Sequence, residues 1–104
     1  MIFMNKTMHL VRIDYEMAKD TGRFIQEYTV VNSVICFIEG TICGMGVDRE
    51  LNDSSHYEGD RYIIQAQIST RMTDNQWNLF QNRLEKGLFS KDANRFSRSL
   101  VTFV

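Results

Sequence analysis

Residues 35 to 47 constrain the fold more than any other stretch, because two apolar runs flank the pair Glu39 and Gly40. Both runs are rich in residues that favour strands, and short apolar runs around a two-residue polar or glycine loop are typical of a β-hairpin. If Glu39 and Gly40 form the loop, Cys36 lies opposite Cys43. The sequence therefore predicts a hairpin in which the chain's two cysteines are cross-strand neighbours.

Other segments also predict strands. Apolar and polar residues alternate in Met8 to Tyr15 and in Arg61 to Met72, as expected for strands with one buried face. Arg98 to Val104 is apolar enough to be a final strand. In residues 16 to 31 a helical spacing of apolar residues competes with a turn signal at 19 to 22. We favour strand, turn, strand there, because Gly22 inside a helix would cost about 1 kcal/mol relative to alanine.

One helix is strongly indicated after residue 72. Thr73 to Gln76 has the pattern of a capping box, and an apolar stripe follows at Trp77, Phe80 and Leu84. Gly87 provides the stop, and residues 90 to 96 predict a further short helical turn. The prediction is a single α+β domain over residues 1–104: an antiparallel sheet of four to five strands with one well-capped amphipathic helix, about 74–86, packed on one face.

Composition is that of an ordinary globular domain, with 43% hydrophobic and 24% charged residues and no proline. The first residues lack the basic segment and long apolar segment of a signal peptide. No stretch approaches the roughly 20 apolar residues of a membrane span. We therefore expect a cytoplasmic protein, in which Cys36 and Cys43 stay reduced and serve as small buried hydrophobic residues.

Catalytic, metal and cofactor signatures are weak. The complete imidazole and thiol set is His9, His56, Cys36 and Cys43, and its spacing matches no zinc pattern. His56 could form a general-base pair with a neighbouring carboxylate, although a loop histidine among acids is usually only solvated. There is no glycine-rich phosphate loop. We expect no enzyme activity, no catalytic residue, no metal site and no cofactor.

Charge is unevenly distributed along the chain. From Asp14 to Asp60 there are ten acidic and three basic residues, whereas from Arg61 to Val104 there are seven basic and three acidic residues. Such asymmetry is informative about partners. Residues 48 to 60 predict an exposed acidic loop suited to a basic protein surface, with Leu51 and Tyr57 as anchors. The predicted partner-binding residues are Asp48, Glu50, Leu51, Asp53, Tyr57, Glu58 and Asp60.

Nucleic-acid binding is the alternative. The basic C-terminal segment is interleaved with Trp77, Phe89 and Phe96, which could supply base stacking beside phosphate contacts. A sequence pI of about 6.1 is low for such a binder. The candidate residues are Arg71, Arg83, Lys86, Lys91, Arg95 and Arg98.

The sequence thus favours a small non-enzymatic binding or inhibitory protein over an RNA- or DNA-binding regulator. In its size, its lack of proline and its lack of catalytic motifs, the chain resembles the small accessory proteins with which bacteriophages bind and block host factors. That resemblance implies a counter-defence or similar role without specifying a partner. Self-association through the C-terminal strand is a further expectation, and we expect no membrane partner.

Overall fold

The computed structural model describes residues 5–90 and 95–104. In chain order its elements are β1 (Thr7–Ala18), α1 (Phe24–Gly44), β2 (Arg49–Asp53), β3 (His56–Glu58), β4 (Arg61–Met72), α2 (Asp74–Gly87), α3 (Arg95–Leu100) and β5 (Val101–Phe103). The five strands form one antiparallel sheet in the order β2-β4-β1-β5, with β3 also pairing with β4. The predicted α+β class and antiparallel sheet are confirmed.

β1 and β4 form the centre of the sheet and pair along their whole length, from Thr7 opposite Met72 to Ala18 opposite Arg61. Their alternating residues separate into a buried face, which includes Val11 opposite Ile68, and a polar face, which includes Arg12 opposite Gln67. The two strands predicted from alternation are confirmed, because period-two burial is what a half-covered strand imposes.

The helices α1 and α2 cover the buried face of this sheet. One hydrophobic cluster joins Val11 and Ile68 of the sheet to Ile38 of α1 and to Phe80 and Leu84 of α2. The predicted capping box of α2 is present: the Gln76 amide donates to Thr73 Oγ1 (3.2 Å) and the Thr73 amide donates to Gln76 Oε1 (2.9 Å). The predicted helix at 74–86 is therefore confirmed.

The predicted hairpin at 35–47 is wrong, because this stretch lies mainly in α1, which also replaces the strand predicted after the turn at 19–22. The buried residues of α1 are Val31, Val34, Ile38 and Ile42. Their spacing of three and four positions places them on one helical face, and burial of that face overrides the local strand preference. Cys36 and Cys43 are exposed on this helix, so their predicted burial and cross-strand pairing are also wrong.

The polar residues of α1 are accommodated locally. Thr29, Ser33 and Thr41 each donate a side-chain hydrogen bond to the carbonyl four residues earlier, at 2.8 to 2.9 Å. Such bonds satisfy hydroxyls that would otherwise compete with a helix. Beyond the helix end, Gly46 has a φ of 72° and its amide donates to the Cys43 carbonyl. This left-handed glycine turns the chain from α1 towards β2.

The C-terminal region differs from its prediction in detail. Residues 91–94 of the helical turn predicted at 90–96 lie outside the described residues. α3 covers Arg95–Leu100, and the final strand, predicted from Arg98, begins at Val101. It pairs with β1 over three residues, with Val101 opposite Ile13 and Phe103 opposite Val11. β5 thus occupies the sheet edge opposite β2.

The order of elements is that of a split β-α-β arrangement, with β2 and β3 acting as one interrupted edge strand. Because α1 and α2 lie on the same face, neither covers the other face of the sheet. That uncovered face is polar at its centre, where the exposed residues Arg12, Gln65 and Gln67 lie. None of the helices in the described part of the chain is long and apolar enough to cross a membrane.

Candidate partner-binding surface

The segment predicted as an acidic loop is the edge of the sheet. Arg49–Asp53 pairs with β4 from Thr70 to Ala66, and His56–Glu58 pairs with β4 from Ile63 to Arg61. The loop prediction is therefore wrong for these eight residues. Every residue of both strands is exposed. Such strands lack the apolar alternation on which sequence-based recognition of strands depends.

The break between β2 and β3 is a polar interruption of two residues, Ser54 and Ser55, across which the register with β4 is unchanged. Asp53 Oδ1 accepts hydrogen bonds from the Ser55 amide (2.9 Å) and from the Ser55 hydroxyl (2.5 Å). On the other side, the Ser54 amide donates to the Gln65 carbonyl of β4 (2.9 Å), and the Gln65 amide donates to Ser55 Oγ (3.1 Å). The segment is thus held to the sheet even where the strand pairing is interrupted.

All seven predicted partner-binding residues are exposed and lie along this border of the sheet, which we call the acidic edge. Leu51 and Tyr57 are 42% and 63% exposed, so both are available for contact. The register places Leu51, Asp53 and Tyr57 on the helix side, whereas Glu50 and Glu58 point to the uncovered side. The acidic edge consists of Asp48, Glu50, Leu51, Asp53, Tyr57, Glu58 and Asp60.

Tyr57 belongs to an aromatic group that the sequence analysis missed. Its ring centroid lies 4.6 Å from that of Tyr62, which lies 5.9 Å from Tyr28 and 6.0 Å from Phe24. We call these four residues, three tyrosines and Phe24, the tyrosine cluster. Tyr28 is 39% exposed and Tyr57 is more exposed still. The cluster thus presents aromatic surface beside the acidic edge.

A local signal could have placed Tyr57 opposite Tyr62. Gly59 and Asp60 form a two-residue loop between Glu58 and Arg61, which are paired, and Gly59 has a φ of 62°. Glycine in such a loop favours a tight β-hairpin. The addition of Phe24 and Tyr28 depends on the packing of α1 against the sheet, which no local pattern indicates.

Burial and nearby charged groups raise the pKa values of two tyrosines of this region. Burial raises the pKa of Tyr62, and the nearby Tyr28, Asp53 and Tyr57 add to the increase, although a hydrogen bond with Ser55 opposes it. Burial also raises the pKa of Tyr15, with a further contribution from Glu27. Burial and nearby negative charge both disfavour phenolate. These phenols remain neutral hydrogen-bonding groups well beyond neutral pH.

A cation already lies on the tyrosine cluster. Lys19 Nζ lies 5.0 Å from the centre of the Tyr57 ring, within the range of a cation–π contact. The Lys19 amide donates to the Asp60 carbonyl (2.9 Å), which fixes the backbone of Lys19 beside the end of the β3–β4 hairpin. At Tyr57, the acidic edge is therefore in contact with a positively charged side chain of the same chain, that of Lys19.

His56 and Glu58 come together as the sequence allowed, at 3.4 Å between Nε2 and Oε2. His56 Nδ1 lies 3.1 Å from the Ser54 carbonyl oxygen. Both side chains are well exposed on β3. An exposed histidine–carboxylate contact of this kind contributes little to stability and lacks the enclosure that a general base uses.

The predicted nucleic-acid residues are not on one surface. Arg71 lies on the uncovered side of β4, whereas Arg83 and Lys86 lie on α2, which packs against the opposite face. Arg98 forms an ion pair with Glu85. Lys91 and the Arg95 side chain lie outside the described residues.

The aromatic residues proposed to stack on bases make contacts within the protein. Trp77 stacks on His9, with ring centroids 4.1 Å apart. Phe89 contacts Phe103, and Phe96 contacts Tyr15. These side chains contribute to the aromatic packing around β1 and β5, and stacking on bases would compete with those contacts.

A cavity of about 460 Å³ lies between the start of β1 and the start of β2. It is an open groove that mixes both charge signs, with Lys6, Arg49 and Arg71 on its wall together with Asp48 and Glu50. No group of three potential metal ligands among His, Cys, Asp and Glu occurs in residues 5–90 and 95–104.

Comparison of the chain with protein-family models, curated proteins and solved structures finds no match. Together, the fold and the surface define a small α+β domain whose most distinctive exposed feature is an acidic, tyrosine-bearing sheet edge.

Proposed function

We propose that this chain is a small non-enzymatic binding or inhibitory protein that contacts a basic surface of another protein through the acidic edge. The observation that carries the proposal is the exposure of all seven edge residues beside the tyrosine cluster. Tyrosine is enriched among the residues that dominate binding energy at interfaces, and surrounding carboxylates steer a basic partner and orient it.

The charge of this segment supports a basic partner. Residues 48 to 60 contain five acidic residues and one arginine. Charged side chains on an edge strand also hinder the addition of a further strand. The proposed contact is therefore made by side chains of the acidic edge and not by extension of the sheet.

The proposal includes three narrower expectations that rest on the sequence alone. These are a cytoplasmic location, a role as a bacteriophage-type accessory protein, and self-association through the C-terminal strand. Each is separate from the assignment of the acidic edge as the contact surface.

Charge reversal tests the proposal. In the variant Glu50→Lys, Asp53→Lys, Glu58→Lys, the changes at Glu50 and Glu58 should each alter stability by about 0.5 kcal/mol or less. Asp53→Lys also removes the hydrogen bonds that Asp53 accepts from Ser55, so we expect it to cost about 1 kcal/mol. The control variant Arg83→Glu, Lys86→Glu reverses charges on α2. Immobilised wild-type and variant chains are compared for the proteins that each retains from a cell lysate, and for binding of a labelled single-stranded oligonucleotide.

The proposal predicts that specific protein retention is lost in the edge variant and kept in the α2 variant. Loss in the α2 variant alone, with salt-sensitive oligonucleotide binding by the wild type, would instead favour the nucleic-acid alternative. Folding of both variants is checked by circular dichroism and by urea denaturation midpoints.

A further inference from the structure

Lys19 occupies a position on Tyr57 that a partner's cation could take. Its ammonium nitrogen lies 5.0 Å from the ring centre, and both residues are exposed. Contacts of this kind at exposed sites are weak, the equivalent of about a two- to fivefold change in affinity. A stronger-binding cation with additional contacts can therefore displace Lys19 at little cost.

The surroundings of Tyr57 favour a guanidinium group in particular. Tyr62 supports the ring from one side at 4.6 Å, which fixes the aromatic surface. Asp53 lies on the same helix side of the acidic edge as Tyr57, and Asp60 follows in the hairpin loop. Arginine stacks on aromatic rings, is more weakly hydrated than lysine and binds carboxylates through its planar set of donors. An arginine can thus use both the ring and a neighbouring carboxylate.

We infer that the basic partner inserts an arginine side chain against Tyr57 and displaces Lys19, which acts as an internal competitor. This inference rests on the proposed function and specifies the chemistry by which the same edge recognises its partner. It has a distinctive consequence: removal of Lys19 should strengthen binding, whereas removal of an ordinary nearby positive charge should have a smaller effect.

The probe is a blocked twelve-residue peptide of glycine and serine with three arginines, and its control replaces arginine with neutral citrulline. Binding is measured by calorimetry and by the NMR signals of the tyrosine rings. We expect the arginine peptide to shift the Tyr57 and Tyr62 signals and the citrulline peptide to leave them unchanged. Tyr57→Leu should weaken peptide binding about two- to fivefold, the equivalent of one exposed cation–π contact.

Two further variants distinguish the displacement of Lys19 from the general effect of removing a positive charge. Lys19→Met should strengthen peptide binding about two- to fivefold relative to Arg23→Met. Arg23 precedes α1, is exposed and makes no side-chain capping hydrogen bond. Its substitution therefore removes one positive charge but leaves the Lys19 side chain on the Tyr57 ring. Equal affinities of these two variants would overturn the role of Lys19 as a competitor.

The outcomes distinguish this inference from the proposed function. If Asp53→Asn, Glu58→Gln weakens peptide binding but Tyr57→Leu does not, the edge binds basic groups by charge alone and the arginine inference is wrong. The same inference fails if the wild type does not bind the peptide. In either case the proposed function is judged independently by the charge-reversal comparison on lysate proteins.

Discussion

Replacement of Gly40 by alanine tests the assignment of residues 24–44 as a helix. Gly40 is exposed in the C-terminal part of α1, four residues before its last residue, and a Cβ atom added there meets nothing within 4 Å. Its φ is not positive, since the only positive-φ glycines in the described residues are Gly46 and Gly59. Alanine therefore fits without strain, and the change should act through helix propensity.

The expected gain is about 0.8–1 kcal/mol in the free energy of unfolding, the difference between glycine and alanine in a helix interior. For a domain of 104 residues this corresponds to an increase in Tm of roughly 4 °C. Urea denaturation followed by circular dichroism at 222 nm measures the free energy, and a thermal scan measures Tm.

Gly87→Ala is the matched control, because it has the same chemistry in a different environment. A Cβ atom on Gly87 would clash with Cζ of Phe37, where the end of α2 meets α1. We expect this variant to lose about 1 kcal/mol, the low end for overpacked sites, because the partly exposed Phe37 ring can shift. If Gly40→Ala instead destabilises the protein by 1 kcal/mol or more, Gly40 does not lie in a helix and the hairpin assignment must be reconsidered.

Three further predictions concern packing, capping and pH. Phe80→Ala, which empties a fully buried position, should cost about 3–5 kcal/mol by urea denaturation, whereas the half-exposed neighbour Leu79→Ala should cost far less. Thr73→Ala should cost about 1 kcal/mol, and Thr73→Ser should restore most of it; equal stability of the two would contradict the capping role. Because the folded pKa of Tyr62 is raised, its contribution is intact below the unfolded value of about 10 and is lost as pH rises through the folded pKa. Urea midpoints between pH 9 and 11 should therefore fall less steeply for Tyr62→Phe than for the wild type, and parallel curves would refute this.

The elements that could be predicted from sequence are those whose local pattern agrees with their final environment. β1 and β4 alternate because one face of each is buried, and α2 combines a capping box with an apolar stripe. α1 was mispredicted because its apolar and β-branched residues also suit strands. The decisive signal, burial of Val31, Val34, Ile38 and Ile42 at helical spacing, is present in the sequence but competes with an apparent turn at Glu39 and Gly40.

The candidate surface was predicted only in part. Exposure of the acidic residues follows from their charge, and it is found at all five acidic positions of the acidic edge. Their placement on or beside strands depends on pairing with β4. An exposed edge strand shows little of the apolar alternation by which strands are recognised in a sequence. The tyrosine cluster combines residues from α1, β3 and β4, so it exists only once those elements have packed.

The pairing of β1 with β4 has a consequence for how the chain folds as it is synthesised. Every partner of β1 in this pairing lies more than forty positions later in the sequence, from Arg61 to Met72. Closing loops of that length delays strand formation, so pairing over such distances tends to place folding times in the range of milliseconds to seconds. On the ribosome, β1 remains without its central neighbour until β4 has emerged from the exit tunnel. The apolar residues of β1 therefore remain unpaired while the nascent chain is only partly folded. A chain truncated before Met72 would leave these residues exposed and prone to aggregation.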